Sequence, residues 1–284
     1  MLDKALKNKI LLLLIISLSL ILQLSSIDWG LVTDNPSLYG LAAFHMDEPG
    51  IAQLPVQMVL NGDLNPHWYI EPSGYLYAIF IPLSILKFFI NINILNAMII
   101  GRLVSILFTV TTVLVLYLVG KEIYDEQVGL ISSFLLAINP YFYFFSIFVK
   151  QDSMTVFLIT SAIYFFIKYI KNEKITYYYL SLLIGGMATS TKYVAGLILF
   201  ILPIMFLVKR FNTADSMRII KQLCISVIVF SLGFVLLTPY AILSTNEFLD
   251  GAFFEFTHYS SGHEGIGPQT YFSHINVLIG LPSS

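Results

Sequence analysis

The stretch AAFHMDEPGIAQ, Ala42 to Gln53, decides how this chain is read. It sets His45, Asp47 and Glu48 beside Pro49, between a first apolar run and a series of others. Working outward from it, 57% of the residues are hydrophobic and 11% are charged, and mean hydropathy is +0.81. A soluble domain carries roughly 25% charged residues, so the composition is that of an all-α integral membrane protein. The 284 residues hold about seven or eight spans of about 20 residues each, plus one or two loops. A formal charge of -2 points to no nucleic-acid partner. Cys224 stands alone, which excludes an internal disulfide and suits a small buried residue.

Apolar runs lie at 10–27, 94–119, 128–149, 154–170, 176–188, 194–208 and 219–237, and another begins near Ile275. The first run is longer than a signal-peptide core and lacks a small-residue cleavage site, so it reads as a retained anchor. A further run, Tyr75 to Ile90, has about 16 residues, short for a span. Lys4, Lys7 and Lys9 place the N-terminus inside, and Lys168, Lys171 and Lys174 in KYIKNEK belong inside too. Between these anchors the chain crosses an even number of times. Four other runs already satisfy that, so Tyr75 to Ile90 is expected to lie on or dip into the outer face. Residues 28–93 then form one long external loop carrying juxtamembrane helices, and 238–274 form another. The same parity puts VKQDSM, TSTKY and NEFLDGAFFEFTHYSSGHEGIGPQTY outside, so the polar clusters face one compartment. No soluble domain boundary is visible.

Each cluster has a chemical reading and a structural one. Asp47 is placed to act as a general base for an acceptor hydroxyl or amide, with Glu48 and His45 as neighbours that orient substrate. Structurally, Asp47 and Glu48 sit where carboxylates favour the start of a helix. Glu71 is either an exposed loop acid or a metal ligand that needs a second donor, such as His258 or His263. Asp152 starts an apolar run, where it caps a helix or serves the chemistry. Lys192 defies the positive-inside bias, which suggests that it meets an anion such as a phosphate. Arg102 either snorkels to headgroups or faces the same anion.

This arrangement resembles the GT-C membrane glycosyltransferases, in the branch of the protein O-mannosyltransferases and lipid A aminoarabinose transferases, glycosyltransferase families 39 and 83. The match is carried by FHMDEP, IEPSGYLY, GRLVSILFTVTTVLVLYLVGKEIYD, INPYFYFFSIFVKQDSM, GGMATSTKYVAG and FEFTHYSSGHEG, in matching order over nearly the whole chain. It implies a GT-C multi-span helical bundle, here its N-terminal part over 1–284, with the later spans and any soluble domain beyond the chain's end. It also implies transfer of a mannose-like hexose from a polyprenyl-phosphate donor to a protein, lipid or glycan acceptor on the external face of the cell membrane. Asp47, Glu48 and Asp152 match the acidic catalytic positions. Lys192 and Arg102 match basic positions, and Glu71 and His258 resemble a pair that holds a divalent ion, magnesium, manganese or zinc. Pro72 follows Glu71 where the lipid A branch has a lysine before its proline, so one donor-phosphate contact is absent from the pattern. The alternative is a transporter or flippase for a lipid-linked or anionic solute, which requires ionisable residues near mid-span.

Overall fold

The computed structural model describes residues 4–31, 45, 47–210 and 216–261. The run near Ile275 and His263 lie outside the described residues. Every regular element among the described residues is helical. In chain order these are α1 (Lys4–Leu24), α2 (Glu48–Asn61), α3 (Gly74–Leu86), α4 (Ile94–Ile123), α5 (Glu126–Ala137), α6 (Pro140–Ser146) and α7 (Asp152–Asn172). There follow α8 (Ile175–Thr189), a 3-10 turn (Tyr193–Leu197), α9 (Ile198–Arg210), α10 (Ser216–Leu237), the short α11 (Tyr240–Leu243) and α12 (Thr245–Ser261).

Local chemistry sets these limits. Pro49 lies in the first turn of α2, where its missing N–H is no loss, and Gly62 ends that helix at φ 68°. Asn93 caps α4 by accepting from the Asn96 backbone N–H, and Asp125 caps α5 by accepting from those of Gln127 and Val128. Helices α1, α4, α7 and most of α10 are long and apolar enough to cross a membrane. At 13 residues, α3 rises only about 20 Å, short of a hydrocarbon core of about 30 Å.

The run at 128–149 is not one helix. It breaks into α5 and α6, bent by 60°, because Pro140 cannot donate to a continuing helix and forces Asn139 into an extended conformation. The Asn139 side chain then caps α6 by accepting from the Phe142 N–H. Beyond α6, Ile147, Phe148 and Val149 are buried and non-helical. Such irregular backbone is tolerated at membrane depth where protein surrounds it.

Two apolar clusters organise the bundle. One joins Ala52 and Val56 of α2, Tyr75 and Ile79 of α3, Met98 of α4, Val149, and Met154 of α7. The other joins Phe166 and Tyr169 of α7, Tyr178 and Leu182 of α8, Phe206 of α9 and Phe230 of α10. In the second, Tyr178 and Phe206 stack with centroids 4.5 Å apart. Helices α8 and α10 approach so closely at Gly186 and Gly233 that a Cβ on either would strike the other's backbone, the small-residue packing expected where helix contact replaces lipid contact. At the first cluster, the start of α3 is tied to the end of α8 by Gly74 N–H donating to Ser190 O at 2.8 Å. Thr155 of α7 pairs with Thr191 at 2.7 Å. The chain between α8 and the 3-10 turn is therefore held against the beginnings of α3 and α7, and the polar clusters gather there.

Candidate active site

Asp47 is the residue at which the chain enters α2, and a buried ion pair next door fixes it. Glu48 and Arg102 are both fully buried and meet as a two-pronged pair, Nε to Oε1 at 2.9 Å and Nη2 to Oε2 at 2.7 Å. Arg102 also donates to Ile27 O at 2.8 Å and Trp29 O at 2.7 Å, while Glu48 accepts from the Val149 N–H at 2.8 Å. Charges this deep persist only when paired and hydrogen-bonded. The node joins the chain after α1, the start of α2, α4 and the irregular segment leading to Lys150. It thereby positions Asp47, which directly precedes Glu48, and Lys150, which directly follows Val149.

Asp47 is half exposed, with Lys150 Nζ at 3.5 Å and His45 Nδ1 at 3.6 Å from its Oδ2. His45 packs against Phe148, ring centroids 5.4 Å apart. Asp47, Lys150, Gln151, Glu71, Lys192, Glu255 and His258 line one cleft of about 560 Å³, walled by Trp68, Tyr75 and Leu76. Burial pushes the Glu71 carboxyl up to about 7, against the attraction of Lys192 and with Glu255 and Asp152 adding to the rise. Lys192 Nζ donates to Asp152 Oδ1 at 2.8 Å. A second groove runs from Lys150, Asp152 and Lys192 along Leu136, Tyr141, Phe142 and Phe145. The two lysines thus stand where a polar cleft opens into an aromatic one.

The structure brings Asp47, Glu71, Lys192 and His258 onto one cleft, with Asp152 behind Lys192 and His45 at the rim beside Asp47. Glu48 and Arg102 are different: enclosed and bound to each other, they present no polar atom to the cleft. The expectation that Arg102 snorkels or faces an anion does not fit a guanidinium with 0% exposure, because Glu48 and two carbonyls already take its donors. Lys150 and Glu255 were not singled out from the sequence. Lys150 carried the signal that marked Lys192, a base against the charge bias, and Glu255 lies one turn before His258. Among the described residues no three His, Cys, Asp or Glu side chains form a set that could hold a metal.

The helical architecture is shared with known structures. Twelve chains of solved structures match, among them the Archaeoglobus fulgidus oligosaccharyltransferase in the apo form, with a TM-score of 0.53 and 16% identity. That alignment covers 93% of this chain and 36% of the oligosaccharyltransferase, so the chain spans about a third of its length. No match is found among curated proteins. The fold is therefore the GT-C fold of membrane glycosyltransferases. A family model described as dolichyl-phosphate-mannose-protein mannosyltransferase matches residues 80–242, more than half of the 284 residues, and the chain belongs to that family.

Proposed function

We propose that this chain carries the catalytic cleft of a membrane glycosyltransferase that moves a hexose, mannose or one like it, from a polyprenyl phosphate to a protein, lipid or glycan hydroxyl on the external face. The observation that carries this reading is the pair Lys150 and Lys192, which border both the acidic cleft holding Asp47 and the aromatic groove. A lipid-linked sugar needs that sequence of surfaces: a wall for the prenyl tail, cations for the phosphate, and a base beyond it. In the reaction, the acceptor oxygen forms a bond to the anomeric carbon and gives its proton to Asp47. The bond from that carbon to the phosphate oxygen breaks, and its electron pair leaves on the phosphate. The leaving group is already ionised, so no general acid is needed. Lys192, held by Asp152, and Lys150 stabilise the departing charge. Glu71 and His258 offer a carboxylate and an imidazole suited to magnesium, manganese or zinc, which when bound would neutralise part of that charge.

Transfer from synthetic polyprenyl-phosphate mannose, with the full protein in lipid nanodiscs, tests the reading. Asp47→Asn should lower kcat about 10² to 10⁴-fold, the usual scale of general-base loss, at unchanged expression. Near-normal turnover in that variant would overturn the assignment.

A further inference from the structure

One cluster of titratable groups lies outside the chemistry just described. Between Gly62 and Glu71 the chain turns sharply. Asp63 Oδ1 accepts from the Asn65 N–H at 2.9 Å and Asn65 Oδ1 from the His67 N–H at 3.1 Å. His67 then sits at φ 49°, a conformation uncommon for a residue with a Cβ and a mark of local strain held by its surroundings. That conformation puts both ring nitrogens to use. Nε2 lies 2.9 Å from Asp63 Oδ2, and Nδ1 lies 2.6 Å from Glu247 Oε1. Glu247 belongs to the first turn of α12, and its other oxygen accepts from Asn65 Nδ2 at 3.0 Å.

The face of α12 that begins with Glu247 continues at helical spacing through Gly251, Glu255 and His258. Gly251 lies so close to Tyr69 that a Cβ there would approach within 2.7 Å of it, and the next two residues on that face line the cleft. Only an imidazole carrying both protons can donate to two carboxylates at once.

We propose that His67 is a positioning residue of the cleft: its ring bridges Asp63 and Glu247 and so fastens α12, with Glu255 and His258, across the site. This rests on the proposed function only where the cleft is said to be catalytic; the fastening itself does not. Hydrogen bonds to Asp63 and then to Glu247 hold the imidazole above its ordinary value of 6.5. The fastening is therefore complete while the ring is protonated and both carboxylates are ionised, and it is lost as pH rises through that raised value. Among the described residues the other titratable groups close by are the phenols of Tyr69, Tyr77 and Tyr240, and burial raises those of Tyr69 and Tyr77 further from neutrality.

Amide hydrogen exchange of residues 245–261 tests the proposal on the full chain in nanodiscs without substrate, with α7 as internal reference for the intrinsic pH effect. Asp63 and His67 are largely exposed, so the expected effect at pH 6 in His67→Gln is a rise in exchange of about threefold to fivefold, the scale of exposed ion pairs. The wild-type protein should lose protection of 245–261 on going to pH 9, and His67→Arg should keep it. Glu247→Gln, which leaves the turn intact, should behave as His67→Gln. Unchanged exchange in both neutral variants, or an arginine variant no better protected than the glutamine one, overturns the proposal. Absent mannosyl transfer in the wild-type protein alongside the expected exchange pattern would sink the proposed function alone.

Discussion

Two carboxylates, Asp47 and Glu71, share one cleft yet live in different surroundings. Asp47 is half exposed beside Lys150, whereas Glu71 is mostly buried and rises to about 7. For Glu71 the sign of the pH effect follows directly. The folded protein keeps this proton up to about 7, while the unfolded chain releases it near 4.5, so between those values rising pH works against the fold. Glu71→Gln removes that dependence. Its Tm should exceed the wild-type value by an amount that grows from pH 5 to pH 8, at roughly 2–4 °C per kcal/mol. An equal offset at both pH values would show that burial does not govern this group. Each lysine stands beside an acid and borders both grooves: Lys192 donates to Asp152 at 2.8 Å and Lys150 lies 3.5 Å from Asp47. Lys192→Ala and Lys150→Ala should therefore each lower kcat, as single-turnover transfer assays would read, and an unchanged rate in either variant would remove that lysine from the reaction.

At the scale of elements, the Glu48–Arg102 pair decides how α2 meets α4. Removing one member of a buried pair strands the other charge, at about 3–5 kcal/mol. Arg102→Met should therefore lower thermal stability steeply, and adding Glu48→Gln should recover a large part of the loss. Additive losses in the double variant, measured by thermal unfolding in detergent, would contradict the pairing. The start of α2 and its docking on α4 differ in how far the sequence reveals them. A helix starting at Asp47 was legible from the acids and Pro49, but Glu48 and Arg102 lie 54 positions apart, and no local pattern links them. The break in the run at 128–149 was legible in principle, since Asn139-Pro140 is a helix-ending dipeptide. Its apolar content concealed it, because hydropathy sums side chains and ignores the missing N–H.

For the molecule as a whole, the polar clusters collect at one end of the bundle because the starts of α2, α3 and α7 and the end of α8 are tied together there. Helix α7 runs about 30 Å from that end, so its last residue and Glu173 lie at the opposite one. In a Cys224→Ser background, Leu64→Cys should react with an impermeant thiol reagent applied outside, and Glu173→Cys only after permeabilisation. The reverse pattern would invert the proposed sidedness.

Composition and hydropathy by themselves determined that this chain is a helical membrane protein, because lipid exposure constrains each residue's polarity one by one and such constraints add along the sequence. Acid and base types at FHMDEP, Glu71, Asp152, Lys192 and His258 marked where chemistry was to be sought, for the same reason: a charge in an apolar chain needs a local cause. Only the tertiary structure decided which of those charges share a cleft and which neutralise one another. Arg102 turned from an anion-facing base into the buried partner of Glu48, Lys150 joined Asp47, and His67 was set between Asp63 and Glu247. Those pairings span as many as 180 positions, and what selects them is close packing, which gives each buried charge one satisfied arrangement and excludes the rest.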